Sequence, residues 1–132
     1  MRGLDTNVLV RLLTRDDPAQ AEQVELLFAA AERGEERFFV SVIALCELSW
    51  TLRGRPYSLA RSEIAAALEG LLDTTAIEIQ DRGLVRRALA DFRHGRADFA
   101  DYLLGWQSRK AGCDDTLTFD RKLNGAAGFS IL

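Results

Sequence analysis

Asp5 and Asp120 each follow a run of strand-favouring residues. In open parallel sheets, ligands gather outside the carboxyl ends of the strands, so both carboxylates are placed where chemistry is usually done. Taken singly, each also reads as a helix N-cap. Glu47 has Ile43, Cys46 and Trp50 as helical neighbours at i−4, i−1 and i+3, so it interrupts an apolar face. A carboxylate there is paired, protonated or metal-bound, unless it lies at the solvated margin of the stripe. Asp98 and Asp101 open another helix, one turn apart on one side, where capping and the helix dipole offer a plain structural role. Together these acids imply more. Two like charges about 5 Å apart cost about 3 kcal/mol at an effective dielectric of 20. Four carboxylates gathered at one sheet edge therefore make physical sense around a hard divalent cation. All-oxygen donors suit Mg²⁺ or Mn²⁺. Such ions bind phosphate oxygens and acidify a bound water, the parts needed to hydrolyse a phosphodiester.

Other chemistries lack their parts. The sequence has no G-x-G-x-x-G, no G-x-x-x-x-G-K-[ST] and no G-x-S-x-G. Its one histidine, His94, stands beside Gly95 in an apparent loop, and with no C-x-x-C a zinc site has no ligand set.

The elements that must position the acids alternate in type. Strands are predicted at Met1 to Leu4, Phe38 to Val42, Thr75 to Ile79, Cys113 to Phe119 and Phe129 to Leu132. Helices are predicted from Val8 to Thr14, from Pro18 to about Arg33, and from about Ser41 to Arg53. Three more follow: Ser58 to about Leu72, one capped by Asp81 running to Phe92, and Asp98 to Ala111. Strands separated by helices mean βαβ units and a mostly parallel sheet with helices on both faces. Phe38 to Val42 is apolar throughout, as a strand buried on both faces should be. The expected architecture is a three-layer α/β/α sandwich of four to five strands.

Composition bounds the reading. A chain of 132 residues with 48% hydrophobic and 28% charged residues suits one soluble domain spanning 1–132. Cys46 and Cys113 lie far apart among apolar neighbours, which predicts buried, reduced thiols and a cytoplasmic setting. The longest apolar run, Phe38 to Cys46, is about half of the ~20 residues needed to span a membrane. Asp5, Asn7 and Arg11 interrupt any signal-peptide core. The net charge is −3, yet 15 of 17 cations are arginine, the better phosphate ligand. Any nucleic-acid contact must then be a local patch.

The segments L-D-T-N-V-L-V from Leu4, S-V-I-A-L-C-E-L around Glu47, A-D-F-A-D-Y-L-L around Asp98, and T-L-T-F-D-R-K-L around Asp120 together resemble the PIN-domain family. The group resembled is the VapC-type toxin ribonucleases of bacterial toxin–antitoxin systems, and the likeness covers essentially the whole chain. It implies that Asp5, Glu47, Asp98 and Asp120 form a catalytic quartet holding Mg²⁺ or Mn²⁺, with Asp101 secondary or acting through water. It implies that Thr118 stands beside the fourth acid, and that Thr6 and Asn7 shape the turn at Asp5, with Asn7 bonding a carboxylate. It further implies endoribonuclease activity, a homodimer and a cognate antitoxin that inserts an Arg into the acidic pocket. Arg121 and Lys122, and more weakly Arg11 and Arg82, are candidates for the RNA backbone. Two alternatives remain: a catalytically inactive PIN-fold scaffold, and a receiver-like signalling module. The latter needs a phosphoacceptor Asp after a central strand; Asp81 follows strand three, but a late-strand Lys is missing.

Overall fold

A computed structural model describes residues 1–132, whose contacts gather into two compact units, Met1–Arg82 and Gly83–Leu132. In the first, β1 (Arg2–Gly3), β2 (Phe38–Val40) and β3 (Ile77–Ile79) pair side by side, all parallel, with β2 in the middle. Two helices bridge each consecutive pair: α1 (Thr6–Thr14) and α2 (Pro18–Glu32), then α3 (Val42–Arg53) and α4 (Arg61–Leu72). Parallel neighbours need long crossovers of this kind. Because all three strands run one way, the residues following β1 and β2 emerge at one edge. Phe38 and Val40 are fully buried, as are Leu45, Leu48 and Leu52 of α3 and Leu9 of α1. The Phe28 and Phe38 rings lie 4.8 Å apart.

The predicted elements are present, and their ends are set by local bonds. Asp5 accepts from the Val8 N–H at 3.1 Å, Asp17 from the Gln20 N–H at 3.1 Å, and Ser41 from the Ala44 N–H at 3.2 Å. Each satisfies an N–H that the first helical turn leaves without a partner. Two starts and one cap differ from expectation, the first start being that of α1, at Thr6 and not at Val8. The helix predicted from Ser58 begins at Arg61, because Ser58 is left-handed (φ 49°) and Glu63 reaches back to the Ala60 N–H at 3.0 Å. Asp81 also takes a left-handed φ of 49°, unlike the extended backbone of an N-cap.

The second unit holds α5 (Arg82–His94), which begins at the last residue of the first unit, α6 (Phe99–Lys110), β4 (Thr116–Thr118) and β5 (Phe129–Ile131). β4 and β5 are parallel, with Thr116 opposite Phe129. A 3₁₀ turn at Arg121–Leu123, absent from the sequence reading, lies between them. The fold is thus α/β with parallel strands, its five strands hydrogen-bonded as three and two. Cys113 is exposed and Cys46 half-buried, both as free thiols, which corrects the expectation that both are buried. No helix is long and apolar enough to cross a membrane.

Candidate active site

At the shared edge of the first unit, Asp5 lies two residues beyond β1 and Glu47 lies in the second turn of α3. Both line an open cavity of about 370 Å³ with Thr6, Asn7, Ser41 and Thr51. The Thr6 hydroxyl donates to Glu47 Oε2 at 3.2 Å, tying α1 to α3. Asp5 is both a cap and a cavity carboxylate: Oδ1 holds the Val8 N–H, so the two readings of this residue coexist.

Glu47 reaches the cavity for a reason other than the expected one. α3 buries Val42, Ala44, Leu45, Leu48, Ser49 and Leu52, whereas Ile43 and Trp50 are 67% and 48% exposed. Glu47 therefore sits on the solvent-facing side between two exposed apolar residues. Burial does not force a partner on its carboxylate; Thr6 supplies one. Asn7 lines the cavity, but the carboxylate bond expected of it is made by Thr6 instead. Beside it, burial first and the Glu47 charge second push the Cys46 thiol up, away from the thiolate that reacts.

The second unit gathers its own acids. Asp98 and Asp101, at the start of α6, are half-buried, and Asp101 accepts from the Asp98 N–H at 3.1 Å. Burial raises the Asp101 carboxyl above its usual range, and the charges of Asp98 and Asp120 push it further in that direction. The Asp98 N–H bond and the nearby Lys122 ammonium oppose the rise. Asp120 starts the 3₁₀ turn: Oδ1 accepts from the Lys122 N–H at 2.9 Å, and its own N–H donates to the Thr118 hydroxyl at 3.0 Å. The Thr118 hydroxyl thus stands beside Asp120 and holds its backbone N–H. Within neither unit do three His, Cys, Asp or Glu side chains gather closely enough to hold a metal ion by themselves.

The four basic candidates divide in two. Arg121 and Lys122 are exposed beside Asp120. Arg11 is committed to Gln20 at 2.6 Å and to Asp16 at 2.9 Å, and Arg82 donates to the carbonyls of Leu72 and Ile77, the latter at 2.9 Å. Arg11 and Arg82 therefore brace the first unit. For the receiver-like alternative, the residue after the central strand β2 is Ser41, and β3, which precedes Asp81, is an edge strand. No phosphoacceptor Asp follows the central strand.

A model of the PIN domain matches residues 4–128. The chain belongs to the PIN-domain family. The matched stretch contains Asp5, Glu47, Asp98, Asp101 and Asp120, and it runs through both units of this PIN domain. Over 122 residues the chain is 25% identical to a VapC ribonuclease of Aquifex aeolicus (strain VF5), covering 92% of this chain and 89% of that one. It is 20% identical to VapC20 of Mycobacterium tuberculosis, a sarcin-ricin-loop-cleaving toxin. That crystal structure covers 97% of this chain and 96% of its own, with a TM-score of 0.46.

Proposed function

We propose that this PIN-domain protein works as one domain over residues 1–132. In this reading it is a metal-dependent endoribonuclease, the toxin of a toxin–antitoxin pair in the cytoplasm. The carrying observation lies in a chain matched by the PIN model over residues 4–128: Asp5 and Glu47 face one polar cavity beyond β1 and β2, and in the second unit the charges of Asp98 and Asp120 act on the half-buried Asp101. Likeness to a VapC ribonuclease over 92% of the chain supports RNA as the substrate.

The donor chemistry fits Mg²⁺ or Mn²⁺: every candidate ligand is a carboxylate oxygen, and the mutual repulsion felt at Asp101 is what a hard cation relieves. Asp5, Glu47, Asp98 and Asp120 would hold it, with Asp101 secondary. When bound, such an ion polarises a phosphate oxygen and lowers the pKa of water. Thr6 fixes the Glu47 rotamer, and Thr118 orients the Asp120 backbone. Arg121 and Lys122 neutralise the RNA backbone as it approaches four acids. A homodimer and an antitoxin complete the reading.

The test is cleavage of a structured RNA by purified protein with Mg²⁺ or Mn²⁺ and with EDTA. Cleavage in the first and none in the second is expected; cleavage in both overturns the mechanism, and none in either favours the inactive scaffold. A finer prediction concerns Thr6→Val, which removes the hydroxyl at nearly constant volume. Groups that orient metal ligands contribute 10- to 100-fold. Cleavage should fall about tenfold, with Thr6→Ser restoring it; an unchanged rate would mean that Glu47 needs no orientation.

A further inference from the structure

We propose that Arg87 and Arg109, stacked on the indole of Trp106, form a preorganised two-cation clamp for phosphates of single-stranded RNA, a site separate from the carboxylates. The proposal rests on the ribonuclease reading for its choice of polyanion. Its geometry lies wholly within the second unit. The indole N–H of Trp106 on α6 donates to Asp91 Oδ2 on α5 at 2.8 Å, which fixes the ring. The Arg87 guanidinium carbon lies 5.1 Å from the ring centroid and that of Arg109 4.5 Å, both within cation–π range. The Arg109 guanidinium lies over Gly128 (φ 82°), where a Cβ would meet one of its nitrogens at 2.8 Å.

The two cations lack what other arginines have. Arg2 ends on Glu36 and Arg33 on Glu35, whereas neither Arg87 nor Arg109 has a carboxylate within ion-pair distance. Asp91, one turn along α5 from Arg87, accepts the indole N–H and keeps its negative charge, so the two arginines outnumber it by one. Both arginines are exposed. Sharing one ring, they stand closer together than the ~10 Å over which 0.1 M salt screens charge. Two cations against the one carboxylate of Asp91 leave a local excess of positive charge that attracts anions. The planar fork of each guanidinium matches two phosphate oxygens, and holding the rotamers on a ring reduces the entropy lost on binding. In a chain of net charge −3, a polyanion needs such a local patch. A single strand offers phosphate after phosphate, which suits two adjacent cations better than one carboxylate does.

The experiment is fluorescence anisotropy of a short labelled oligouridylate in EDTA, where cleavage does not interfere, across a KCl series. Single strands lose affinity with a log–log slope of about 0.7 for each neutralised phosphate. Arg87→Gln with Arg109→Gln should flatten the slope by about 1.4 and weaken binding at least tenfold at about 50 mM salt. Arg87→Gln alone leaves Arg109 on the ring and should flatten it by about 0.7, which keeps the test readable if the double variant does not fold. Arg33→Gln with Arg37→Gln removes equal charge and should leave the slope unchanged. A clamp variant with the parental slope overturns the proposal, as does a clamp that binds polyglutamate in preference to RNA. If the parent still cleaves RNA in that case, the nuclease reading stands alone. If the slope flattens but no metal supports cleavage, the clamp stands and the nuclease reading falls.

Discussion

Asp5→Asn should reduce kcat/KM for RNA cleavage on the order of a thousandfold while leaving the melting temperature within roughly 2 °C of the parent. The two halves of that expectation come from two jobs done by one carboxylate. As a cap, Asp5 needs only an oxygen that accepts the Val8 N–H, and asparagine caps as well as aspartate. As a metal ligand it needs charge, which asparagine lacks. A thousandfold loss is about 4 kcal/mol of transition-state stabilisation, a magnitude within reach of one charged group in a preorganised site. Glu47→Gln separates the same two jobs, since glutamine still accepts from the Thr6 hydroxyl. Asp5→Ala should add about 1 kcal/mol of lost stability from the missing cap. Steady-state cleavage and thermal melting of the three variants check this. An Asp5→Asn protein that cuts RNA at the parental rate would reduce Asp5 to a cap.

Much of this arrangement is legible in the sequence, because the signals are local. Capping residues mark where α1, α2 and α3 begin, and the apolar run at Phe38 becomes the central strand β2. Non-local choices were hidden. α3 is apolar nearly all round at its start, so periodicity cannot tell the exposed Ile43 and Trp50 from the core, and it leaves Glu47 undecided between an apolar face and its solvated margin. Whether Thr6 or Asn7 meets a carboxylate depends on how α1 lies against α3, and adjacent polar residues give no such hint. Cys113 is followed directly by Asp114 and Asp115, a polar setting that agrees with its exposure, so the expected burial neglects its own neighbours. The Arg87–Trp106–Arg109 stack joins α5 to α6, and nothing in the spacing of those three residues points to it.

Expressed alone in a bacterial host, the protein should arrest growth. A short protein encoded beside it, with a DNA-binding domain and an Arg-bearing C-terminal tail, should restore growth when co-expressed. The charge of the cavity argues for the tail. Asp5 and Glu47 face an open space of about 370 Å³, ample for a guanidinium, whose fork can bond two carboxylate oxygens at once. An Arg seated there competes directly with a divalent cation, so the complex should bind Mg²⁺ or Mn²⁺ poorly and leave RNA intact. A hydrogen bond to a charged group contributes about 1.5–3 kcal/mol. Changing the tail Arg to Ala should therefore weaken inhibition roughly 10- to 100-fold. Asp5→Asn should be harmless in the same host, since it lacks the charge that both metal and Arg use. Growth curves with and without the neighbouring gene, together with inhibition of the purified nuclease by the tail peptide, decide the matter. If the protein is harmless when expressed alone while its purified form cuts RNA freely, the toxin assignment falls and the nuclease survives. If the tail inhibits equally with and without its Arg, inhibition works by covering the cavity and not by replacing the metal.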